Sequence, residues 1–274
     1  MKNEVKELHW ASASRTDIGT VRRLNEDSVL DLPELGLWVV ADGMGGHAAG
    51  DFASAAIVSE LAGIPPPASL GALLGEVRQR LQNVNRRLYD EARTRREQVI
   101  GSTVVALLAF GGHGVVVWAG DSRVYRYRRG ELFQLTRDHS QVEELVRLGF
   151  LTRDGVEGHP AANVITRAIG VADTLDLDSE MFPLAEDDIY LLCSDGLYRE
   201  LDDDAIRDHL TSGDCRRSCN TLIESALARR ARDNVSVIVV SMTDEPQATR
   251  TQYNPSVSGA VRPQQDPDDP TELD

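Results

Sequence analysis

The order of strand-like and helix-like segments is the feature that most constrains the fold of this chain. Short apolar or alternating runs typical of strands occur at 35–41, 102–110, 115–121, 122–136, 187–195 and 234–242. Apolar residues at three- and four-residue spacing, typical of amphipathic helices, occur at 47–63, 70–97, 202–212 and 216–230. Because these blocks do not alternate regularly, the pattern predicts a layered α+β domain and excludes a doubly wound parallel sheet.

Composition and charge exclude several classes of protein. No apolar run in the 274 residues approaches the length of about 20 that a membrane-spanning helix needs, so an integral membrane protein is not expected. The 44 Asp and Glu against 29 Lys and Arg give a net charge of −15, which argues against general binding to nucleic acid or to anionic membrane surfaces. Three cysteines and the absence of an export signal at the N-terminus indicate a cytoplasmic location.

The last part of the chain differs in composition from the rest. Residues 244–274 are rich in Pro, Gln and Asp and nearly free of large aliphatic side chains, which predicts a disordered acidic tail. Seven acids and two arginines give this segment a charge of −5, so residues 1–243 carry −10 of the total of −15. We therefore expect one acidic domain over 1–243, followed by the tail.

Several acids stand at the ends of predicted strands instead of on polar helix faces. Asp42, Asp121 and Asp195 each follow an apolar run and precede Gly or Ser, and Glu26, Asp27 and Asp233 also lie beside small or polar residues. A single aspartate in such a place is usually a turn former or a helix N-cap. The repetition of the pattern indicates a cluster of carboxylates at the rim of a sheet.

Clustered carboxylates without His or Cys partners favour hard cations such as Mg²⁺ or Mn²⁺ over Zn²⁺ or Cu²⁺. Two such cations about 3.5–4 Å apart can ionise a shared water and stabilise a phosphoryl transition state. Gly43, which follows Asp42, lets a backbone carbonyl approach a cation without side-chain interference. The sequence alone does not bring these segments together in space.

Seven segments, in this order, carry a resemblance to a known family. They are SRTDIGTVRRLNEDS, VVADGMGGHAAG, GSTVVAL, WAGDSRVYRYRRGEL, DHSQVEELVRLG followed by HPAANVITRAIG, LLCSDGLY, and ARRARDNVSVIVV. The chain resembles the bacterial metal-dependent Ser/Thr protein phosphatases of the protein phosphatase 2C (PPM) type. The resemblance implies a four-layer αββα sandwich of two antiparallel sheets flanked by helices. It also implies a metal cleft at one end and a short flap at about 138–170.

The same resemblance implies roles for the acids at the strand ends. They would hold two Mn²⁺ or Mg²⁺ ions in the following way: Asp42 bridging both, Asp195 and Asp233 completing one site, Glu26 and the carbonyl of Gly43 serving the other, and Asp27 holding a coordinated water. Asp121 would help to hold a third, weaker ion with Asp195 shared, although a turn cap after the strand at 115–120 is an alternative for it. Arg22 would bind two phosphate oxygens of the substrate.

The implied reaction is direct attack on phosphorus by a hydroxide that bridges the two ions, without a phosphoenzyme. Eukaryotic members have a histidine two residues after the bridging aspartate as a candidate general acid. Met44 stands at that position here and cannot donate a proton. His47 is one candidate substitute, although a surface histidine at the start of a helix is the more ordinary interpretation of it; a metal-bound water is the other candidate.

The expected activity is hydrolysis of phosphoserine and phosphothreonine in proteins, by a monomer that opposes a bacterial eukaryotic-like Ser/Thr kinase. Relatives with a short flap and no membrane anchor include phosphatases of type VI secretion loci. The alternative is a pseudophosphatase that binds phosphoproteins without hydrolysing them. Such a protein would lack acids of the metal site, and all of them are present in this sequence.

Overall fold

The computed structural model describes residues 8–45, 49–95, 99–156 and 158–243, and their strands all pair in antiparallel fashion. The strands are β1 (His9–Asp17), β2 (Asp27–Leu32), β3 (Leu37–Gly45), β4 (Ile100–Ser102), β5 (Val104–Phe110), β6 (His113–Ala119), β7 (Arg123–Arg128), β8 (Glu131–Gln134), β9 (Asp178–Pro183), β10 (Ile189–Cys193) and β11 (Val235–Thr243). The helices are α1 (Ala49–Ala62), α2 (Leu70–Arg95), α3 (Gln141–Arg147), α4 (Asp195–Tyr198), α5 (Asp203–Leu210) and α6 (Cys215–Ala228).

The strands form two sheets. One has five strands in the order β1-β11-β10-β7-β8, and the other has the order β2-β3-β5-β6-β9 with β4 paired to β3. Helices and sheets together therefore give the α+β class that the order of segments predicted.

Alternation of side chains along β3 shows how the layers are built. Leu37 and Val39 are fully buried on the face that packs against α1 and α2. Trp38 and Val40, one position along, are fully buried on the other face, in the core between the two sheets. A strand that is apolar at every position is thus explained by a sheet covered on both faces.

The five-stranded sheet repeats this arrangement. Val237 and Val239 of β11 belong to a core shared with α4, α5 and α6, whereas Ile238 and Val240 face the core between the sheets. Three apolar cores between four layers make up the αββα sandwich. Both the near-continuous apolar character of β10 and β11 and the four-layer arrangement are confirmed.

Some predicted elements match the structure closely and others were missed. Helices α1, α2, α5 and α6 lie where the apolar spacing placed them. The sequence interpretation missed β1, β2, β9 and the short α4. Most residues of β1, β2 and β9 are only partly buried or exposed, which dilutes the apolar signal.

The segment 138–170 contains α3 and a short 3-10 turn, Arg153–Gly155. Ser140 caps α3, since its hydroxyl accepts the Glu143 N–H at 3.3 Å. No helix in the described part of the chain is both long and apolar enough to cross a membrane. The predicted tail, 244–274, lies outside the described residues.

Candidate active site

The β2–β3 pair brings three predicted site residues together at one end of its sheet. Asp27 and Asp42 are directly paired in the antiparallel register. The Gly43 N–H donates to the carbonyl of Glu26 at 3.0 Å, which extends the pairing by one position. Asp42 lies within β3 and not at its end, because β3 continues to Gly45 to pair with β4.

Asp195 and Asp233 reach the same place from the other sheet. Asp195 opens α4 two residues after β10 ends, and Asp233 lies two residues before β11 begins. The Ser194 hydroxyl joins the sheets: it donates to Asp27 Oδ2 at 2.7 Å and accepts the Ser236 N–H at 3.0 Å. Residues of both sheets therefore line one end of the sandwich.

Asn234 fixes the loop that carries Arg22 and Glu26. Its Oδ1 accepts the Glu26 N–H at 2.8 Å, while its Nδ2 donates to the carbonyls of Ile18 at 2.9 Å and Leu24 at 3.1 Å. One amide side chain thus ties the turn before β11 to the turn before β2. This holds Glu26 beside Asp233.

Close backbone packing explains two glycines of the site. A Cβ on Gly43 would collide with the carbonyls of Gly50 and Glu26, and a Cβ on Gly50 would collide with the Glu26 carboxylate. The Gly50 N–H donates to that carboxylate. The start of α1 therefore packs directly against Glu26, an approach that only glycine permits.

The acids at this end are poorly compensated. Asp27 is 6% exposed and Asp195 is 8% exposed, and Oδ1 of each has no hydrogen-bond partner in the described structure. Burial raises the pKa of Asp27 to about 6, against the opposing hydrogen bond from Ser194. Burial and then the neighbouring Asp121 raise the pKa of Asp195 to about 8.

The remaining acids behave in the same direction. Burial, followed by repulsion from Asp27 and Asp195, raises the pKa of Asp42 well above its ordinary value. Burial also raises the pKa of Glu26 and of Asp121. Such mutual repulsion between buried carboxylates indicates a site built for a cationic ligand.

Two arginines stand among these acids. Arg22 places Nη2 at 2.8 Å from Asp233 Oδ2 and Nη1 at 3.7 Å from Glu26 Oε2, and its side chain is 47% exposed. The hydrogen bond to Asp233 raises the pKa of Arg22 further. Arg199, which the sequence interpretation did not single out, places Nη2 at 2.6 Å from Asp195 Oδ2.

The donor chemistry fits divalent metal ions. Every candidate ligand supplies oxygen, the donor that hard cations such as Mn²⁺ or Mg²⁺ prefer. Two of the buried carboxylate oxygens have no hydrogen-bond partner and so are available as ligands. Within the ranges that the structure describes, no three His, Cys, Asp or Glu side chains are grouped tightly enough to hold an ion as they stand. Arg22 and Arg199 hold Asp233 and Asp195 in this arrangement.

The structure thus brings together every site residue that the sequence predicted, as the following set: Arg22, Glu26, Asp27, Asp42, Gly43, Asp121, Asp195 and Asp233. Met44 lies in β3 opposite Gly101 of β4. His47 lies outside the described residues. Sequence reasoning missed Ser194, Tyr198, Arg199 and Asn234, although Arg199 stands four residues after Asp195, at helical spacing.

Comparisons with known proteins agree with this geometry. The family model described as protein phosphatase 2C matches residues 22–228. The serine/threonine protein phosphatase PstP of Mycobacterium tuberculosis is 35% identical over 250 residues, which is 91% of this chain. The chain spans 48% of the length of that relative.

Two solved structures resemble the whole fold. PppA, described as a key regulatory component of T6SS in Pseudomonas aeruginosa, is 45% identical with a TM-score of 0.81, and the match covers 86% of this chain and 100% of that one. The catalytic domain of PstP in complex with 2 manganese ions is 34% identical with a TM-score of 0.76, and the match covers 86% of this chain and 100% of that one.

Proposed function

The chain belongs to the protein phosphatase 2C family, and from this premise we propose that it is a metal-dependent protein serine/threonine phosphatase. Its substrates would be phosphoserine and phosphothreonine side chains in proteins. The observation that carries the proposal is the set of carboxylates at one end of the sandwich, where Asp27 and Asp195 each keep a buried oxygen without a partner. The manganese-bound structure of PstP supports the choice of cation.

The ligands proposed for two Mn²⁺ or Mg²⁺ ions share an oxygen donor and a place at this end of the sandwich. Asp42 would contribute to both ion sites, Asp195 and Asp233 would complete one, Glu26 and the Gly43 carbonyl would complete the other, and Asp27 would hold a coordinated water. When bound, such ions supply an ionised water as nucleophile at neutral pH and stabilise charge on the phosphoryl group. Burial raises the pKa of Asp27 to about 6, and burial together with the neighbouring Asp121 raises that of Asp195 to about 8, so a cation near these carboxylates would be favoured.

Arg22 is the residue proposed to bind the phosphate. A guanidinium offers five N–H donors in a fixed plane. In Arg22, Nη1 faces Glu26 and Nη2 faces Asp233, while almost half of the side chain remains exposed. The same plane can grip two phosphate oxygens. Its contact with Asp233 supports this role, because a phosphate bound by the proposed ions would lie close to Asp233.

The chain's own residues restrict the proton transfer to the leaving oxygen. Met44 has no ionisable proton, so it cannot act as the general acid in place of histidine. His47 belongs to the segment outside the described residues, and its proposed role stays a prediction. Its substitution is a direct test: a His47→Ala variant that keeps full activity would remove it from the mechanism.

We further propose that the protein acts as a monomer on proteins phosphorylated by a bacterial eukaryotic-like Ser/Thr kinase. The similarity to PppA supports a setting in type VI secretion. The proposed catalytic domain is 1–243, with a flap at about 138–170 that selects substrates and a tail after it. Loops beside an active site are the usual determinants of substrate choice.

The test is release of phosphate from a phosphothreonine peptide by the purified protein with Mn²⁺. We expect Asp42→Asn and Asp233→Asn to lower kcat/KM by at least about a hundredfold, since each removes a charge next to the reacting group. Asp204→Asn is the matched control, because Asp204 lies on α5 with 81% of its side chain exposed. The control should keep full activity.

Two results would contradict the proposal. Activity that survives EDTA would exclude the metal-dependent reaction. Binding of the phosphopeptide without release of phosphate, at saturating Mn²⁺, would favour the pseudophosphatase instead.

A further inference from the structure

The positively charged side chain of Arg199 lies next to both Asp121 and Asp195. Arg199 Nη2 lies 2.6 Å from Asp195 Oδ2 and 3.7 Å from Asp121 Oδ2, so the guanidinium spans the two carboxylates. Both carboxylates are nine-tenths buried. A cation shared by these two oxygens would have to make the contacts that Nη2 makes with both of them.

Arg199 is held in this place by the fold. It caps the short helix α4, where its N–H donates to the Asp195 carbonyl at 3.1 Å, and only a third of its side chain is exposed. The spacing of four residues along α4 sets its guanidinium over Asp195. The position of the charge therefore follows from the backbone and not from a mobile surface side chain.

Tyr198 supports the same arrangement. Its hydroxyl donates to the Asp121 carbonyl at 3.0 Å and lies 3.3 Å from Asp121 Oδ2. The guanidinium of Arg123 lies 3.6 Å from the centre of the Tyr198 ring, and Arg123 itself donates to both oxygens of Asp138. Two consecutive residues therefore face Asp121 Oδ2: the Tyr198 hydroxyl at hydrogen-bond distance and the Arg199 guanidinium at ion-pair distance.

The two oxygens of Asp195 have different surroundings. Oδ2 is paired with Arg199, while Oδ1 is buried without a partner. Only Oδ1 is therefore free to serve as a ligand. The Asp195 carboxylate can therefore contact the Arg199 guanidinium through Oδ2 and a bound ion through Oδ1.

We propose that Arg199 replaces a third divalent ion at the Asp121–Asp195 edge, so that this chain binds two ions. This inference rests on the proposed metal-dependent function and refines it. Arg199 acts as a positioning residue, because it holds Asp195 Oδ2 and leaves Oδ1 to the ion that Asp195 shares with Asp233. A divalent ion added between Asp121 and Asp195 would be repelled by the guanidinium at contact distance.

The test is the number of Mn²⁺ ions bound per chain at millimolar Mn²⁺, measured by equilibrium dialysis and by anomalous scattering from crystals. We expect two ions for the native chain and two for Arg199→Lys, which keeps the charge. We expect three for Arg199→Ala, because the freed carboxylates then form a site, and two again for the double variant Arg199→Ala, Asp121→Asn.

Arg207→Ala is the matched control. Arg207 also pairs with an aspartate of its own helix, Asp204, at 2.7 Å, and is similarly exposed, but it lies on α5 away from the acids. It should leave the count at two. A merely structural role for Arg199 would change the unfolding midpoint without changing this count.

Three ions in the native chain, or two in Arg199→Ala, would overturn the inference. A rise in KM for the phosphopeptide in Arg199→Ala, with the ion count unchanged at two, would show instead that Arg199 binds substrate. A native chain that binds no Mn²⁺ at all would contradict the proposed function itself, which keeps the two failures distinct.

Discussion

Strand β10 has a buried aspartate just beyond each of its ends, and the two are treated differently. Asp188, before the strand, is fully buried, and Arg128 binds both of its oxygens at 2.5 Å. The Ala185 N–H and the Tyr190 hydroxyl also donate to it, at 3.0 and 2.9 Å. Asp195, after the strand, keeps Oδ1 without a partner.

The difference shows that this fold can satisfy a buried carboxylate completely where nothing but stability is at issue. At the other end of the same strand, Oδ1 of Asp195 lies among other acids without a hydrogen-bond partner. An unfilled acceptor in a site that the chain could have satisfied indicates a ligand supplied from outside. This contrast supports the proposed metal site at that end of the sandwich more directly than the number of acids does.

Removing Asp188, the buried aspartate whose oxygens are hydrogen-bonded, should have the largest effect on stability. Asp188→Ala removes the carboxylate that accepts from Arg128, the Ala185 N–H and the Tyr190 hydroxyl, and we expect the free energy of unfolding to fall by about 3 kcal/mol. Urea unfolding of the EDTA-treated protein measures this change. Asp188→Asn, which keeps acceptor oxygen, should lose less, and a loss below about 1 kcal/mol in the alanine variant would contradict the comparison.

The stability of the metal-free protein should depend on pH through Asp27 and Asp195. Without metal, the folded protein binds protons on Asp27 and Asp195 up to pH about 6 and about 8, whereas the unfolded chain has released them near pH 4. Stability is therefore greatest at low pH within this window and falls, by on the order of 2–3 kcal/mol, as pH rises from 6 to 8. Urea midpoints in EDTA across this range test it, and a flat or rising profile would contradict the predicted sign.

Replacing Asp27 by a neutral side chain should have the smallest of the three effects, and this effect is a gain in stability. Asp27→Asn removes one of the mutually repelling charges, so the metal-free protein at pH 8 should gain about 1–2 kcal/mol while its affinity for Mn²⁺ falls. Calorimetry with and without Mn²⁺ measures both. Asp204→Asn is the control and should give no gain, since 81% of the Asp204 side chain is exposed. A destabilised metal-free Asp27→Asn protein would argue against the comparison.

The sequence predicted those parts of the fold whose side chains are buried in a regular pattern. Apolar spacing located the long helix α2, and near-continuous apolar runs located β10 and β11. Strand β1 was missed because its residues, HWASASRTD, are small or polar and all half-buried. Its position depends on pairing with β11, a contact between the two ends of the described chain that no local pattern contains.

The site shows the same limit. Repetition of aspartates at strand ends, together with the family resemblance, indicated which acids matter. Their convergence depends on contacts such as that between Ser194 and Asp27, which are 167 positions apart. Arg199 was missed because its partner choice depends on α4, a helix of four residues that carries little periodicity.

The central place of β11 also bears on how the protein is made. Asp233 and Asn234 directly precede this strand, β11 fills the gap between β1 and β10, and the contact from Arg22 to Asp233 spans 211 positions. A ribosome-bound chain that has not yet released β11 therefore has an open sheet edge and an unassembled set of acids. Pairing of β11 with β1 and β10 is therefore required before Asp233 can join the acids carried by the other sheet.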